Sequence, residues 1–335
     1  MEIFDYSRVE SAAQAIAAGA KSRTAQQGAN VRFIAGGTTL FDLMKLNVEH
    51  PETVVDINHL PLDKVERTPN GGFQIGALVR NSDLAHHPEI VKHYPVLSQA
   101  LLSGASAQLR NRATTGGNLL QRTRCVYFRD THMPCNKREP GSGCSAIEGF
   151  NRNLAILGTS EQCIATNPSD MNVALMALDA VVHIQGVKGA RTVPIASFFL
   201  LPGKTPHIEN VLQPGDLVTH VSLPALPEGA RSVYLKLRDR ASYEFALSSA
   251  AVVAHVQGGK FESIGIALGG VGTMPWRAKA AEAMLKGTTV DPAKFRAAAE
   301  AVLKEARPQS ENGFKIELAT RCLTQTLKLA TRTAS

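Results

Sequence analysis

Gly104-Ala105-Ser106-Ala107-Gln108-Leu109-Arg110-Asn111-Arg112-Ala113-Thr114-Thr115-Gly116-Gly117-Asn118-Leu119-Leu120 combines paired glycines, small hydroxyl residues and two arginines, with little apolar bulk to fill a core. Adjacent glycines let backbone approach a ligand closely, and successive free N–H groups make a nest for phosphate oxygens. A second stretch of this kind lies upstream, Phe33-Ile34-Ala35-Gly36-Gly37-Thr38-Thr39-Leu40. Two such loops point to a long, doubly phosphorylated ligand held at two places. Around the upstream loop the order is strand (Val31 to Ala35), glycine turn, helix (Leu40 to Leu46), which aims amides at an anion from a helix N-terminus. No Gly-Lys-Ser/Thr follows, so this is not a P-loop, and it is not GxGxxG. Taken alone it reads equally well as a plain tight turn.

Working outward, residues 1–60 read as a small α/β unit, with an Ala-rich helix from Ser11 to Gly19 and a buried β-branched strand from Thr53 to Ile57. In residues 61–120 a strand is expected at Phe73 to Val79. A helix capped by Asn81 or Ser82 runs through Leu84, and another from Pro95 to Leu102 enters the long glycine loop. After residue 165, Asp170 opens a helix from Met171 to Leu178; locally it reads as a first-turn acid favouring the helix dipole. Strands follow at Val181 to Ile184, Ser232 to Leu237, Ala246 to Val256 and Ile264 to Val271, then three helical patterns. The proline-rich crossing Leu223-Pro224-Ala225-Leu226-Pro227-Glu228-Gly229 marks a domain boundary.

The chain of 335 residues exceeds the usual single-domain size. A net charge of +7 and only 5% aromatics give no base-stacking platform, so nucleic-acid binding is not expected. The N-terminus lacks the basic and apolar regions of a signal peptide, and no run reaches the ~18 apolar residues of a membrane helix.

From Leu119 to about Cys163 regular periodicity disappears. A loop of that length is uncommon in a compact domain and needs a staple. Cys125, Cys135, Cys144 and Cys163 are the candidates, separated by nine, eight and eighteen intervening residues. Structural zinc usually takes close CxxC-type pairs, which are absent, and disulfides need an oxidising compartment. Spacing leaves a four-thiolate cubane cluster, a zinc site and an unliganded loop all open. Cys322, within a helical pattern, reads as a small buried hydrophobe.

The chain resembles the FAD-binding medium subunits of the molybdenum hydroxylases, the xanthine dehydrogenase and carbon monoxide dehydrogenase family, over essentially its whole length. The carriers are Ile34-Ala35-Gly36-Gly37-Thr38-Thr39, Gln108-Leu109-Arg110-Asn111 with Ala113-Thr114-Thr115-Gly116-Gly117-Asn118, Pro168-Ser169-Asp170, Lys236-Leu237-Arg238-Asp239-Arg240-Ala241 and Ala267-Leu268-Gly269-Gly270-Val271. Within the family it is most similar to the FAD subunits of bacterial periplasmic aldehyde oxidoreductases. The resemblance implies an α+β fold: a vanillyl-alcohol-oxidase-type (PCMH) FAD-binding domain over 1–226, with subdomains about 1–60 and 61–226 and an Fe–S loop insertion at 119–165. A C-terminal domain like that of the CO dehydrogenase flavoproteins occupies 227–335. It implies noncovalent FAD, since residues 34–40 contain neither His nor Cys. Phe33, Ile34, Ala35, Gly36, Gly37, Thr38, Thr39 and Leu40 line one side of the pyrophosphate, and Thr114, Gly117 and Asn118 the other. Asp170 takes ribityl or ribose hydroxyls and Lys236 sits near the flavin ring. The same resemblance assigns a [4Fe–4S] cluster to Cys125, Cys135, Cys144 and Cys163.

The expected function follows: an electron-exit subunit of a heterotrimeric, molybdenum-dependent aldehyde oxidoreductase. Molybdopterin belongs to a large partner and [2Fe–2S] centres to a small one, and FAD passes electrons to an external acceptor. No residue of this chain stands out as a catalytic acid or base. A stand-alone flavin oxidase or dehydrogenase and a zinc-stapled scaffold are the alternatives. The resemblance places the chain in the periplasm by co-export with a signal-bearing partner, the alternative being the cytoplasm; fractionation with and without that partner separates them. Arg110, Arg112, Arg122, Arg124 and Arg129 are expected to raise the cluster potential, to face an acidic partner, or to form a solvated basic face.

Overall fold

The computed structural model describes residues 1–332, so the end of the expected 227–335 domain lies outside the described residues. The described residues fold around three sheets. The first unit contains β1 (Asp5–Arg8), α1 (Ala12–Gly19), β2 (Val31–Ile34), α2 (Leu40–Lys45) and β3 (Thr53–Asp56). Its strands run parallel in the order β1-β3-β2. Parallel neighbours need crossover connections, and α1 and α2 lie within them. Ser11 caps α1 by accepting the Gln14 N–H at 3.3 Å.

The second unit begins with β4 (Val65–Arg67), β5 (Phe73–Gly76), α3 (Asn81–His86), α4 (Pro88–His93), α5 (Pro95–Ser103), α6 (Ala107–Arg112) and α7 (Thr115–Leu119). The cysteine segment carries two single turns, α8 (Val126–Arg129) and α9 (Ser145–Glu148), and is otherwise irregular, as its sequence predicts. Then come α10 (Asp170–Ala177), β6 (Val181–Gly186), β7 (Gly189–Pro194), α11 (Ile195–Phe198) and β8 (Leu217–Leu223), completing an antiparallel sheet of order β4-β5-β8-β6-β7. The last unit pairs β9 (Arg231–Leu237), β10 (Ser248–Gln257), β11 (Lys260–Gly269) and β12 (Trp276–Arg277), backed by α12 (Lys279–Leu285), α13 (Pro292–Leu303) and α14 (Phe314–Thr331).

Every residue of α10 is buried. A helix without a polar face needs cover all round; α10 sits within the core cluster that joins the second unit to Tyr234, Ala251 and Ala267 of the last one. Cys322 is buried in α14 among the last unit's core residues, as expected. Of the elements that depart from their expected bounds, one shapes the site. The strand predicted over Phe73 to Val79 ends at Gly76, whose Cβ position lies 2.1 Å from the Leu62 carbonyl oxygen. Beyond it, the carbonyls of Ala77 and Val79 turn away from the sheet to receive the amides of Gly116 and Thr115 at 2.8 and 2.9 Å. The helix expected to be capped by Asn81 or Ser82 starts at Asn81, with Arg80 as its cap residue and no side-chain cap bond.

Candidate functional site: a two-chambered cleft and a cysteine pocket

The two glycine loops meet. A β-carbon on Gly36 would stand 2.0 Å from the Arg112 carbonyl oxygen, so the absence of a side chain is what lets the loops dock. A polar bridge fixes the contact. Asn58 Nδ2 donates to the Ala35 carbonyl at 2.9 Å, Arg80 Nη2 to Asn58 Oδ1 at 3.0 Å, and Arg80 Nη1 to the Arg112 carbonyl at 2.7 Å.

A cleft runs on both sides of this junction. One chamber, of about 230 Å³, is lined by residues 31–40, Ala77, Leu78 and the segment from Leu212 to Val218. The other, of about 250 Å³, is lined by Ala100, Leu101, Gly104, Asn118, Asp170 and Lys236, with Arg240, Tyr243 and Phe245 among its other residues. Thr38, Thr39 and Gly117 line both, so the chambers share a waist.

At that waist the loops play unequal parts. The amides of Gly36, Gly37, Thr38, Thr39 and Leu40 have no hydrogen-bond acceptor among the described residues. Gly37 has φ +74°, which curls this run of donors into a concave nest. The second loop, expected to grip from the other side, has its amides occupied. Thr115 and Gly116 donate to Val79 and Ala77, Gly117 N–H goes to Thr114 Oγ1 at 3.2 Å, and Asn118 N–H goes to the Thr114 carbonyl at 2.8 Å. Thr114 is buried with its hydroxyl engaged as the α7 cap. Asn118 turns its Oδ1 to Ser169 Oγ at 2.8 Å, and no bond holds its Nδ2 among the described residues. The second loop is thus a rigid wall, and the first supplies the donors. Its free amides and the two chambers fit a dinucleotide whose diphosphate lies at the waist.

Asp170 and Lys236 lie together at the far chamber. Lys236 Nζ is 2.8 Å from Asp170 Oδ2 and donates also to the Ser103 carbonyl at 3.0 Å. Tyr234, two residues before Lys236 on β9 and therefore on the same face, donates its hydroxyl to Asp170 Oδ1 at 2.5 Å. Burial and the Asp170 carboxylate hold the Tyr234 phenol well above its usual range. Sequence reading missed Tyr234; the Tyr-x-Lys alternation on a strand is the signal that would have found it.

Cys125, Cys135, Cys144 and Cys163 line one small cavity, together with Phe128, Lys137 and Ala165. Cys135 and Cys144 face each other across an isolated β-bridge. The Ala165 N–H reaches Cys163 Sγ at 3.5 Å, and further amides face Cys125 (from Phe128 and Tyr127) and Cys144 (from Ala146, Ile147 and Ile164). Burial pushes the Cys125 thiol up to about 12 and the Cys163 thiol to about 11. Among the described residues, no group of three or more His, Cys, Asp or Glu is arranged to hold a single metal ion.

The arginine cluster is not a solvated basic face. Arg122 is buried between Glu49 (2.6 Å) and Glu209 (2.5 Å) and stacks on Phe128, while Lys137 Nζ joins Glu209 at 2.9 Å. Burial would raise the Glu209 carboxyl, but Arg122 and Lys137 outweigh it and hold it down at about 2. Arg124 and Arg129 both reach Asp42 of α2, at 2.8 and 2.9 Å. Arg110 turns back to the Gly104 carbonyl at 2.8 Å, and Arg112 alone of the five is exposed. The pairs with Glu49 and Asp42 clamp the cysteine segment to the first unit, and those with Glu209 to the second. Its far end is fastened to the last unit: Lys315 Nζ donates to the carbonyls of Leu154 at 3.0 Å and Gly270 at 2.8 Å, and Asn151 Oδ1 accepts from Glu311 N–H at 3.0 Å.

The architecture and the cleft define a flavin-binding subunit of the molybdopterin dehydrogenase type. Residues 2–226 match the FAD-binding domain of molybdopterin dehydrogenases, and residues 233–330 match the CO dehydrogenase flavoprotein C-terminal domain. The chain belongs to this family. It is 51% identical to the aldehyde oxidoreductase FAD-binding subunit PaoB of Escherichia coli K12, covering 98% of each chain. It is 25% identical to the carbon monoxide dehydrogenase medium chain of Hydrogenophaga pseudoflava, covering 99% of this chain and 96% of that one. A solved carbon monoxide dehydrogenase from the same organism superposes with a TM-score of 0.76 at 25% identity, over 98% of this chain and 97% of that one.

Proposed function

We propose that this chain is the FAD-carrying subunit of a heterotrimeric molybdenum-dependent aldehyde oxidoreductase. It takes electrons from iron–sulfur centres on its partners and hands them to an external acceptor. The observation that carries the reading is the two-chambered cleft with five unpartnered amides at its waist and a lysine in its far chamber. The likeness to PaoB supports aldehyde as the substrate of the whole complex. FAD, when bound, would supply one- and two-electron chemistry between the iron–sulfur centres and the acceptor.

The chain's own residues do the holding and tuning. The Gly36–Leu40 amides meet the diphosphate charge, and the Thr114–Asn118 wall fixes the opposite side. Lys236 would bring a positive charge to the far chamber, where it would favour the reduced, anionic form of a flavin ring held there. Arg240, Tyr243 and Phe245 are exposed residues that line the same chamber, and an acceptor would approach past them.

A [4Fe–4S] cluster on Cys125, Cys135, Cys144 and Cys163 belongs to the same proposal. Four thiols line one cavity, and the Ala165 amide donates to the Cys163 sulfur at 3.5 Å. A cubane needs one thiolate at each of four irons, so its ligands stand farther apart than those of a single ion. The test is to mix the flavin-replete chain with aldehyde under anaerobic conditions and watch the flavin band. The expected result is no bleaching until the molybdenum and small iron–sulfur subunits are added; bleaching by the chain alone would overturn the proposal.

A further inference from the structure

Tyr234, Asp170 and Lys236 form a buried, hydrogen-bonded group between two units of the fold. Asp170 stands at the first position of α10 in the second unit, while Tyr234 and Lys236 come from β9 of the last. Both Asp170 oxygens are engaged, Oδ1 by the Tyr234 hydroxyl and Oδ2 by Lys236. The Lys236 side chain is only 3% exposed, and two of its three N–H donors go to Asp170 and to the Ser103 carbonyl. The third has no acceptor among the described residues, and Lys236 lines the far chamber. Ser103 is held as an acceptor by Arg238 as well, whose Nη1 donates to the same carbonyl at 3.0 Å. Gly104 leaves room for the carboxylate: a β-carbon there would lie 3.2 Å from Asp170 Oδ2.

A lysine beside a carboxylate presents a field that depends on how firmly the carboxylate is held by others. We propose that Asp170 sets how much of the Lys236 charge reaches the chamber, with Tyr234 as the positioning residue that keeps this carboxylate shared, and that the arrangement thereby tunes the reduction potential of flavin bound there. The inference rests on the flavin reading above. Removing the lysine charge takes away stabilisation of the reduced flavin; removing the aspartate charge leaves the lysine unopposed. Removing the Tyr234 hydroxyl lets the carboxylate lean wholly on Lys236 and screen it more.

The experiment is spectroelectrochemical titration of the flavin in the assembled complex, with FAD content measured for each variant. Lys236→Met is expected to lower the potential by about tenfold in the two-electron equilibrium, ~30 mV, and Asp170→Asn to raise it by about as much. Tyr234→Phe, which deletes one hydroxyl and nothing else, is expected to lower it less than Lys236→Met; Lys236→Arg should restore most of the wild-type value. A purely structural role would move stability without moving potentials in opposite directions. Shifts of the same sign for Asp170→Asn and Lys236→Met, or flavin-replete variants with unchanged potentials, overturn the inference and leave the flavin reading intact. Loss of FAD from Tyr234→Phe also overturns it, because that would make the hydroxyl a binding determinant. A wild-type complex without flavin on this chain sinks the flavin reading itself.

Discussion

Replacing Gly36 by alanine probes the junction on which the cleft depends, and the structure fixes the size of the clash. The new β-carbon would lie 2.0 Å from the Arg112 carbonyl oxygen, 2.7 Å from its carbon and 3.2 Å from the Ala113 Cα. Non-bonded heavy atoms settle at about 3.5 Å, so the loops must part by more than an ångström. The carbonyl is poorly placed to yield, because Arg80 Nη1 holds it at 2.7 Å and the adjoining Ala113 carbonyl accepts the Asn81 amide at 2.9 Å. Overpacking costs about 1–3 kcal/mol, and backbone on both sides puts this case at the upper end. The melting temperature should fall by roughly 5–10 °C. The nest amides move away from the Thr114–Asn118 wall, and FAD affinity drops by about 10- to 100-fold. Gly37→Ala is the contrast. It pays for an alanine at φ +74°, about 1–2 kcal/mol, but its nearest neighbour is the half-exposed Phe41 ring at 2.9 Å, which can swing outward. Thermal melting and FAD retained through gel filtration measure both variants. A Gly36→Ala chain that melts with the wild type and keeps its FAD would refute the docking argument.

Cys135→Ser should lower iron content and loosen the cysteine segment toward proteases, while Cys322→Ser, deep in the last unit's core, should leave iron unchanged; equal iron loss in both, or stoichiometric zinc in the wild type, would sink the cluster assignment. Lys315 tests linkage: burial, then the nearby Arg152 charge, lower its folded pKa from 10.5 to about 7, so between about pH 7 and 10 the unfolded chain holds a proton that the folded one has lost. Stability should therefore rise with pH across that window by up to about 1.4 kcal/mol per unit and be insensitive to this group below it; Lys315→Met should flatten the rise, and an unchanged denaturation profile over pH 7–10 would contradict it.

What the sequence made legible was what local chemistry dictates. Strand, glycine turn and helix at residues 31–46 were readable because Gly36 and Gly37 interrupt an apolar run and hydroxyl residues follow. The irregular cysteine segment was readable from its prolines and glycines. The division of labour between the two loops was not. The second loop has the better-looking nest in sequence, yet Ala77 and Val79, about 40 residues earlier, claim its amides. The arginines near the cysteines invited a surface reading because their partners Glu49, Asp42 and Glu209 are 73 to 87 residues away along the chain. Asp170 carried a local explanation as a first-turn acid, and only the approach of β9 shows that it answers to Tyr234 and Lys236.

The fastening of the cysteine segment to α14 sets a timetable during synthesis. Lys315 lies 152 residues beyond Cys163, so all four cysteines leave the ribosome well before the anchor that closes their segment exists. At about 5–20 residues per second the interval is on the order of 8–30 s. Through that time the thiols are open to whatever delivers iron and sulfide, and to whatever oxidises them; afterwards Cys125, Cys135 and Cys163 are buried among Phe128, Leu154 and Ile164, and Cys144 is half-buried beside them. Alkylation of nascent chains stalled before and after residue 315 would read that window directly, with protection expected only in the longer chains.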